Sequence, residues 1–139
     1  MKRKKQITVG ALALAAAAVL AGNAFGHSPK TITIRHQMRG CHSWSFAGGS
    51  YKASLKLTID RDTPLVFVDN DVMPHKLVQV SGPKVSLTTP NMHRMGAKAV
   101  ATFRKAGVYK FTTKPGEDYM QGMKTIGEDN VLRLTVKVS

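Results

Sequence analysis

Acidic residues are scarce in this chain: eight Asp and Glu stand against 21 Lys and Arg in 139 residues, a formal net charge of +13. Cysteine is scarcer still, since Cys41 is the only one. An internal disulfide is excluded, and Cys41 is left as a partner-bridging thiol, an inert buried residue or a metal ligand. Aromatics make up 6% of the chain. The basic residues beyond the leader are scattered singly along alternating segments, with no basic helix, stacking motif or zinc-finger spacing, so nucleic-acid recognition is excluded as the main function. There is no Gly-x-Ser-x-Gly elbow, and no third group orients Ser43 or Ser45 near His42. No glycine loop is built to cradle phosphate, and Gly48-Gly49 reads as a hairpin turn. The chain does not read as an enzyme.

The long apolar run of a membrane protein is also missing. Ile7 to Leu20 is Ala, Leu and Val with few interruptions, but it is shorter than the ~20 residues that span a bilayer. Lys2, Arg3, Lys4 and Lys5 precede it, and small residues follow at Ala24-Phe25-Gly26. The order is that of a cleavable secretory signal over residues 1–26, and a retained anchor is the competing reading. A lipid anchor would need Cys after Leu20-Ala21-Gly22, where Asn23 stands. Residues 27–139 are then one exported domain, periplasmic or secreted, without a membrane span once processed. Losing the four leader cations lowers the charge from +13 to +9, which still favours acidic partner proteins or anionic envelopes.

What remains is written with period two. Tyr51, Ala53, Leu55, Leu57 and Ile59 alternate with Lys52, Ser54, Lys56 and Thr58, and Leu65 to Val68 is a continuous apolar run. Further segments lie at Thr31 to His36, Lys76 to Val80, Lys84 to Leu87, Ala99 to Phe103, Val108 to Thr112 and Val131 to Val138, with Gly and Pro between them. Seven or eight short strands of this kind predict an all-β antiparallel sandwich. Asp118 to Lys124 could hold one helical turn.

Two segments carry more than architecture. Asn70-Asp71-Val72-Met73-Pro74-His75 resembles the cupredoxin loop in which an Asn stands five residues ahead of a Pro-preceded His. Gly107-Val108-Tyr109-Lys110-Phe111-Thr112-Thr113-Lys114-Pro115-Gly116-Glu117 is similar to that family's last ligand loop, Gly-x-Tyr-x-Phe-x-Cys-x-x-Pro-Gly-His. The resemblance implies a cupredoxin-like Greek-key β-sandwich with any metal at one end. It also marks departures: Thr112 stands at the place of the thiolate and Glu117 at that of the second His, so the usual blue-copper set is absent.

The thiol is then expected from Gly40-Cys41-His42-Ser43-Trp44, because the resemblance carries the first connection over the metal end. Cys41, His42, His75 and Glu117 form the candidate metal set, a combination similar to that of the red-copper cupredoxins. Copper suits thiolate plus imidazole, and zinc could use the same four ligands. Adjacent residues on a strand point to opposite faces, so Cys41 and His42 share a metal only if Gly40 lets the chain bulge. The bland readings are that Cys41 is a small core residue, that Trp44 and Phe46 are core or pocket wall, that Asp71 caps its loop, and that Glu117 with Asp118 forms a solvated acidic turn.

Methionine adds a second pattern. Met92-His93-Arg94-Met95 and Met120-Gln121-Gly122-Met123 share Met-x-x-Met spacing, either as soft Cu(I) ligands or as gap-filling side chains. His27 becomes an amine-plus-imidazole chelate if cleavage falls directly after Gly26. The function expected is electron transfer or copper handling, with a redox partner or a copper donor or acceptor. The alternative is a metal-free cupredoxin-fold interaction module.

Overall fold

Side chains that alternate between apolar and polar require an extended backbone with one buried face, and the chain follows its alternation closely. The computed structural model describes residues 26–36, 42–116, 121–122 and 131–139. The strands are β1 (Lys30–His36), β2 (His42–Phe46), β3 (Ser54–Ile59), β4 (Pro64–Asn70), β5 (His75–Ser81), β6 (Ser86–Thr88), β7 (Asn91–Met92), β8 (Lys98–Thr102), β9 (Gly107–Pro115) and β10 (Arg133–Val138).

Ten strands replace the expected seven or eight. The two unforeseen ones are β2 and β7. In β2, His-Ser-Trp-Ser-Phe reads as a polar loop, yet His42, Ser43, Trp44 and Ser45 are all buried. β7 is a two-residue pairing against the start of β5, too short to leave a period.

The strands form two five-stranded sheets, ordered β2-β1-β4-β8-β6 and β3-β10-β9-β5-β7. Each sheet contains one parallel pair, β1 with β4 and β3 with β10, and the remaining pairs are antiparallel. Sequence neighbours such as β2 and β3, or β4 and β5, lie in different sheets, so the connections cross over the ends as Greek keys do. The turn through Ala47 and Gly48, both at positive φ, carries the chain from β2 toward β3.

Between the sheets lies an aromatic core. Phe67 packs on Trp44 and Phe111 at centroid distances of 6.4 and 6.1 Å, and Phe103 meets Tyr109 edge-on at 4.8 Å. The Tyr109 hydroxyl donates to the Lys105 carbonyl at 2.6 Å, so this large side chain is buried without stranding its polar end. Met92 is buried in the same core while Met95 is exposed, so this Met-x-x-Met pair does not present two thioethers on one surface.

Candidate metal centre

The inward-facing positions of five strands change character at the same end of the sandwich. β1 runs Ile32, Ile34 and then His36, which keeps the parity but is exposed; β2, read backwards, runs Trp44, His42; β4 runs Leu65, Phe67, Asp69, and Asp71 follows with the same parity. β5, read backwards, runs Leu77, His75, and β9 runs Tyr109, Phe111, Thr113. Pairing brings these ends together, with His36 opposite His42 and His75 opposite Met92 and Pro115.

The Asp71 carboxylate is the hub. Its Oδ2 accepts hydrogen bonds from His42 Nδ1 at 2.7 Å and His75 Nε2 at 2.9 Å, and its Oδ1 accepts from the Met73 backbone N–H at 2.9 Å. His36 Nδ1 stands 3.6 Å from Oδ1. The rings of His42 and His75 meet edge to face, with centroids 4.7 Å apart. Behind the hub, Asp69 Oδ1 accepts the Asp71 N–H at 2.9 Å, which ties the β4 end to the start of the loop. The carboxylates of Asp69 and Asp71 thus brace this loop, while Asn70 between them is exposed.

Two carboxyl groups two residues apart are held in opposite states. Burial pushes Asp69 up to about 7, against partial relief from the Asp71 backbone N–H. Burial works on Asp71 in the same direction, but the hydrogen bonds from His42, His75 and the Met73 N–H outweigh it. They hold its carboxyl well below the usual range. Asp71 is therefore the anion of the site and Asp69 its partly protonated support. Asp69 Oδ2 and Trp44 Nε1 are buried without a hydrogen-bond partner among the described residues.

An ionised carboxylate only accepts, so each imidazole gives Asp71 an N–H, and the lone pair of a neutral ring then lies on the other nitrogen. That nitrogen is Nε2 in His42 and Nδ1 in His75, where the Thr113 hydroxyl donates to it across 3.0 Å. Thr113, rather than Thr112, therefore meets the histidine of the Pro74-His75 loop. Thr112 faces the opposite side of β9 and donates to the Leu132 carbonyl at 2.7 Å. Counting back from Pro115-Gly116 selects Thr112. Counting forward from Tyr109 and Phe111 in steps of two selects Thr113, and a strand obeys the second count.

Of the four expected ligands, His42 and His75 are brought together. Cys41 and Glu117 lie outside the described residues, as do Met38, Met120, Met123 and most of the segment expected to hold a helical turn. His42 stands in β2 facing inward rather than in a loop. His36 and Asp71 join the cluster without having been expected as ligands. Nδ1 or Nε2 of His36 and His42 and a carboxylate oxygen of Asp71 lie within 4.8 Å of one another. Ligands of one cation with bonds of about 2.0–2.2 Å lie up to ~4 Å apart, so these three groups stand slightly wider than the ligand set of one ion.

No protein-family model matches the chain, and no curated protein matches it. Among solved structures, a purple cupredoxin from Nitrosopumilus maritimus is similar at 20% identity, covering 78% of this chain and 98% of that one with a TM-score of 0.43. A methionine-to-glutamine variant of amicyanin in the Cu(I) state is similar at 18% identity, over 78% of this chain and 82% of that one, with a TM-score of 0.41. A cysteine protease inhibitor from Entamoeba histolytica is similar at 8% identity, over 81% and 98%, with a TM-score of 0.42. What decides the architecture is internal to the chain: two sheets, Greek-key crossings, and a Pro-preceded His buried at the polar end opposite Pro115 of β9. The fold is cupredoxin-like. The cluster of His36, His42, Asp71 and His75 lies at the polar end of that sandwich.

Proposed function

We propose that this chain is an exported copper protein that carries electrons or copper at the polar end of a cupredoxin-like sandwich. Residues 1–26 are removed on export, and the domain that remains is a carrier rather than an enzyme. The observation that supports this reading best is the convergence of three imidazoles on one buried, ionised carboxylate.

His42 and His75 would hold the ion, with Cys41, which directly precedes His42, adding a thiolate and Glu117 a carboxylate. Copper bound there would supply one-electron exchange. Asp71 acts as the positioning residue: by taking one N–H from each ring it fixes both tautomers and leaves the other nitrogen of each as the ligand atom, which in His75 the Thr113 hydroxyl must first give up. The same hydrogen bonds to Asp71 hold the rings when no ion is present, so the rearrangement on loading is centred on the Thr113 hydroxyl. The positive exterior favours an acidic redox partner or copper donor.

Copper titration of the purified protein, followed by absorption and electron paramagnetic resonance, tests this. The expected result is uptake of one equivalent, a sulfur-to-copper charge-transfer band at higher energy than that of a blue site, so that the carboxylate moves the colour toward red, and loss of the band in Cys41→Ser. Asp71→Asn should weaken uptake 10–100-fold while leaving the band in place. No uptake at all would select the metal-free interaction module. That second reading has its own support, since the Asp71 carboxylate already satisfies both imidazole N–H groups.

A further inference from the structure

The cations left outside the site are unevenly distributed over the sandwich. The outward positions of β3, β10, β9 and β5 carry Lys56, Arg133, Lys137, Lys110, Lys114 and Lys76, all exposed. Those four strands contain no Asp or Glu. The other sheet turns far less charge outward: Arg35 on β1 and Lys98 on β8 stand among Thr33, Val66, Val68 and Val100. Mean charge does not explain this contrast, because all ten strands belong to the same basic chain.

The register shows that the cationic face is held against its own repulsion. Lys76 and Lys114 are directly opposed across β5 and β9. Lys56 and Lys110 both face Thr135, one from each side of β10. Like charges directly opposed, as Lys76 and Lys114 are, destabilise a sheet, and Lys56 and Lys110 add to the same positive potential. A face of this kind is stabilised when a negative surface covers it.

We propose that the outer face of the β3-β10-β9-β5 sheet docks on an anionic lipid bilayer. Five of its six cations are Lys, and its outward positions carry no aromatic side chain. Protein interfaces favour Tyr, Trp and Arg at their centres and are depleted in Lys, whereas clustered Lys is the usual means of holding a protein near anionic headgroups. The apolar side chains beside the cations are Val80, Val108 and Val131, each at least half exposed. Their short side chains suit a headgroup layer better than a protein pocket. No helix among the described residues is long and apolar enough to cross a membrane, so this would be adsorption of a folded face. The strands would lie parallel to the bilayer plane, and the end carrying His42 and His75 would sit at the rim, open to partners in water. The proposal does not depend on the metal reading, because the cations lie on a face and the histidines at an end.

Vesicle co-sedimentation with the purified protein, as the cell processes it, decides the matter. Vesicles of phosphatidylcholine with 30% phosphatidylglycerol should bind the protein, pure phosphatidylcholine much less, and raising the salt should release it. The fourfold variant Lys56→Gln, Lys110→Gln, Lys114→Gln, Lys137→Gln should bind at least 50-fold more weakly, at roughly 3- to 5-fold per cation. A charge-matched variant elsewhere, Arg61→Gln, Arg94→Gln, Lys98→Gln, Arg104→Gln, should lose less than a fifth of that effect on a logarithmic scale. Circular dichroism checks that both variants fold. Equal losses in the two variants, or no preference for phosphatidylglycerol, would overturn the proposal. So would failure to bind vesicles together with retention on immobilised polyglutamate that the first variant alone abolishes, because the occupant would then be an acidic protein.

Discussion

Along β4 the inward positions pass from Leu65 and Phe67 to Asp69, and the chain then turns through Asp71 toward His75. At the first end of the sandwich Phe103, Tyr109 and Phe111 pack edge to face, and the one hydroxyl among them is satisfied locally by the Lys105 carbonyl. At the second end the same layer is filled by imidazole and carboxyl groups whose hydrogen bonds span up to 38 positions of sequence, as between His75 and Thr113. The aromatic end would tolerate apolar changes that keep its volume, since it depends on area and shape. The polar end depends on each donor finding its acceptor, so removing one partner leaves a buried group unsatisfied. Both ends stabilise the fold, the first through shape and the second through pairing, and the chemistry lies at the second.

The largest expected effect comes from breaking the aromatic end. Phe103→Ala should destabilise the metal-free protein by about 3–5 kcal/mol through lost burial and a cavity. Copper uptake per folded molecule should be unchanged. Urea unfolding beside a copper titration checks both parts, and a change in copper stoichiometry would show that the two ends are coupled.

Asp71→Asn attacks the other end. An amide oxygen replaces the carboxylate that two imidazoles share, and the cost should be about 2–4 kcal/mol at neutral pH. Because the folded-state pKa of Asp71 lies below that of the unfolded chain, its contribution is complete above about pH 4 and is lost as pH falls through the folded value. The stability gap between wild type and Asp71→Asn in metal-free protein should therefore shrink toward acid. A gap of constant size from pH 7 down to pH 2 would mean that the carboxylate charge is not what the imidazoles need.

Asp69 predicts the opposite sign. Its folded-state pKa of about 7 exceeds the unfolded value, so the folded chain loses stability as pH rises from about 4 to about 7. Asp69→Asn imitates the protonated form and escapes that loss. Relative to wild type it should be near neutral at pH 4 and more stable by about 1–3 kcal/mol at pH 8. Unfolding curves at the two pH values are sufficient, and a variant that is less stable at pH 8 would show that the Asp69 charge is used.

Much of this was legible in the residues. Period two placed eight of the ten strands, and Pro74-His75 with the Tyr109-to-Gly116 segment pointed to the sandwich and to the end that carries the cluster. The missed strand β2 hid behind its composition, because buried Ser43 and Ser45 look like loop residues until a partner strand covers them. Asp71 was legible as a loop cap, and it does accept the Met73 N–H, but its role as hub depends on β1, β2 and β5 meeting at one end. Parity carries a further signal: His36, His42, Asp71 and His75 each share the inward register of an apolar strand. A polar residue continuing an apolar stripe at the same end of several strands marks a site before any fold is known.

The same parity yields the smallest effect and the finest test. Thr113→Val keeps the shape of the side chain and removes the hydroxyl 3.0 Å from His75 Nδ1, while Thr112→Val removes one that serves the Leu132 carbonyl across the sheet. Each change deletes one hydrogen bond, so each should cost about 1 kcal/mol, and stability alone cannot separate them. The ring of His75 can. In Thr113→Val its Nδ1 loses a partner while Nε2 still donates to Asp71, so the imidazole nitrogen resonances should shift in nitrogen NMR of the metal-free protein. Copper should also bind more readily, because no hydroxyl competes for that lone pair. Thr112→Val should leave both readouts where they were. If Thr112→Val moves the His75 resonances and Thr113→Val does not, the counting rule from Pro115-Gly116 was right and β9 is out of register by one residue, which would turn every inward side chain of that strand to the other face.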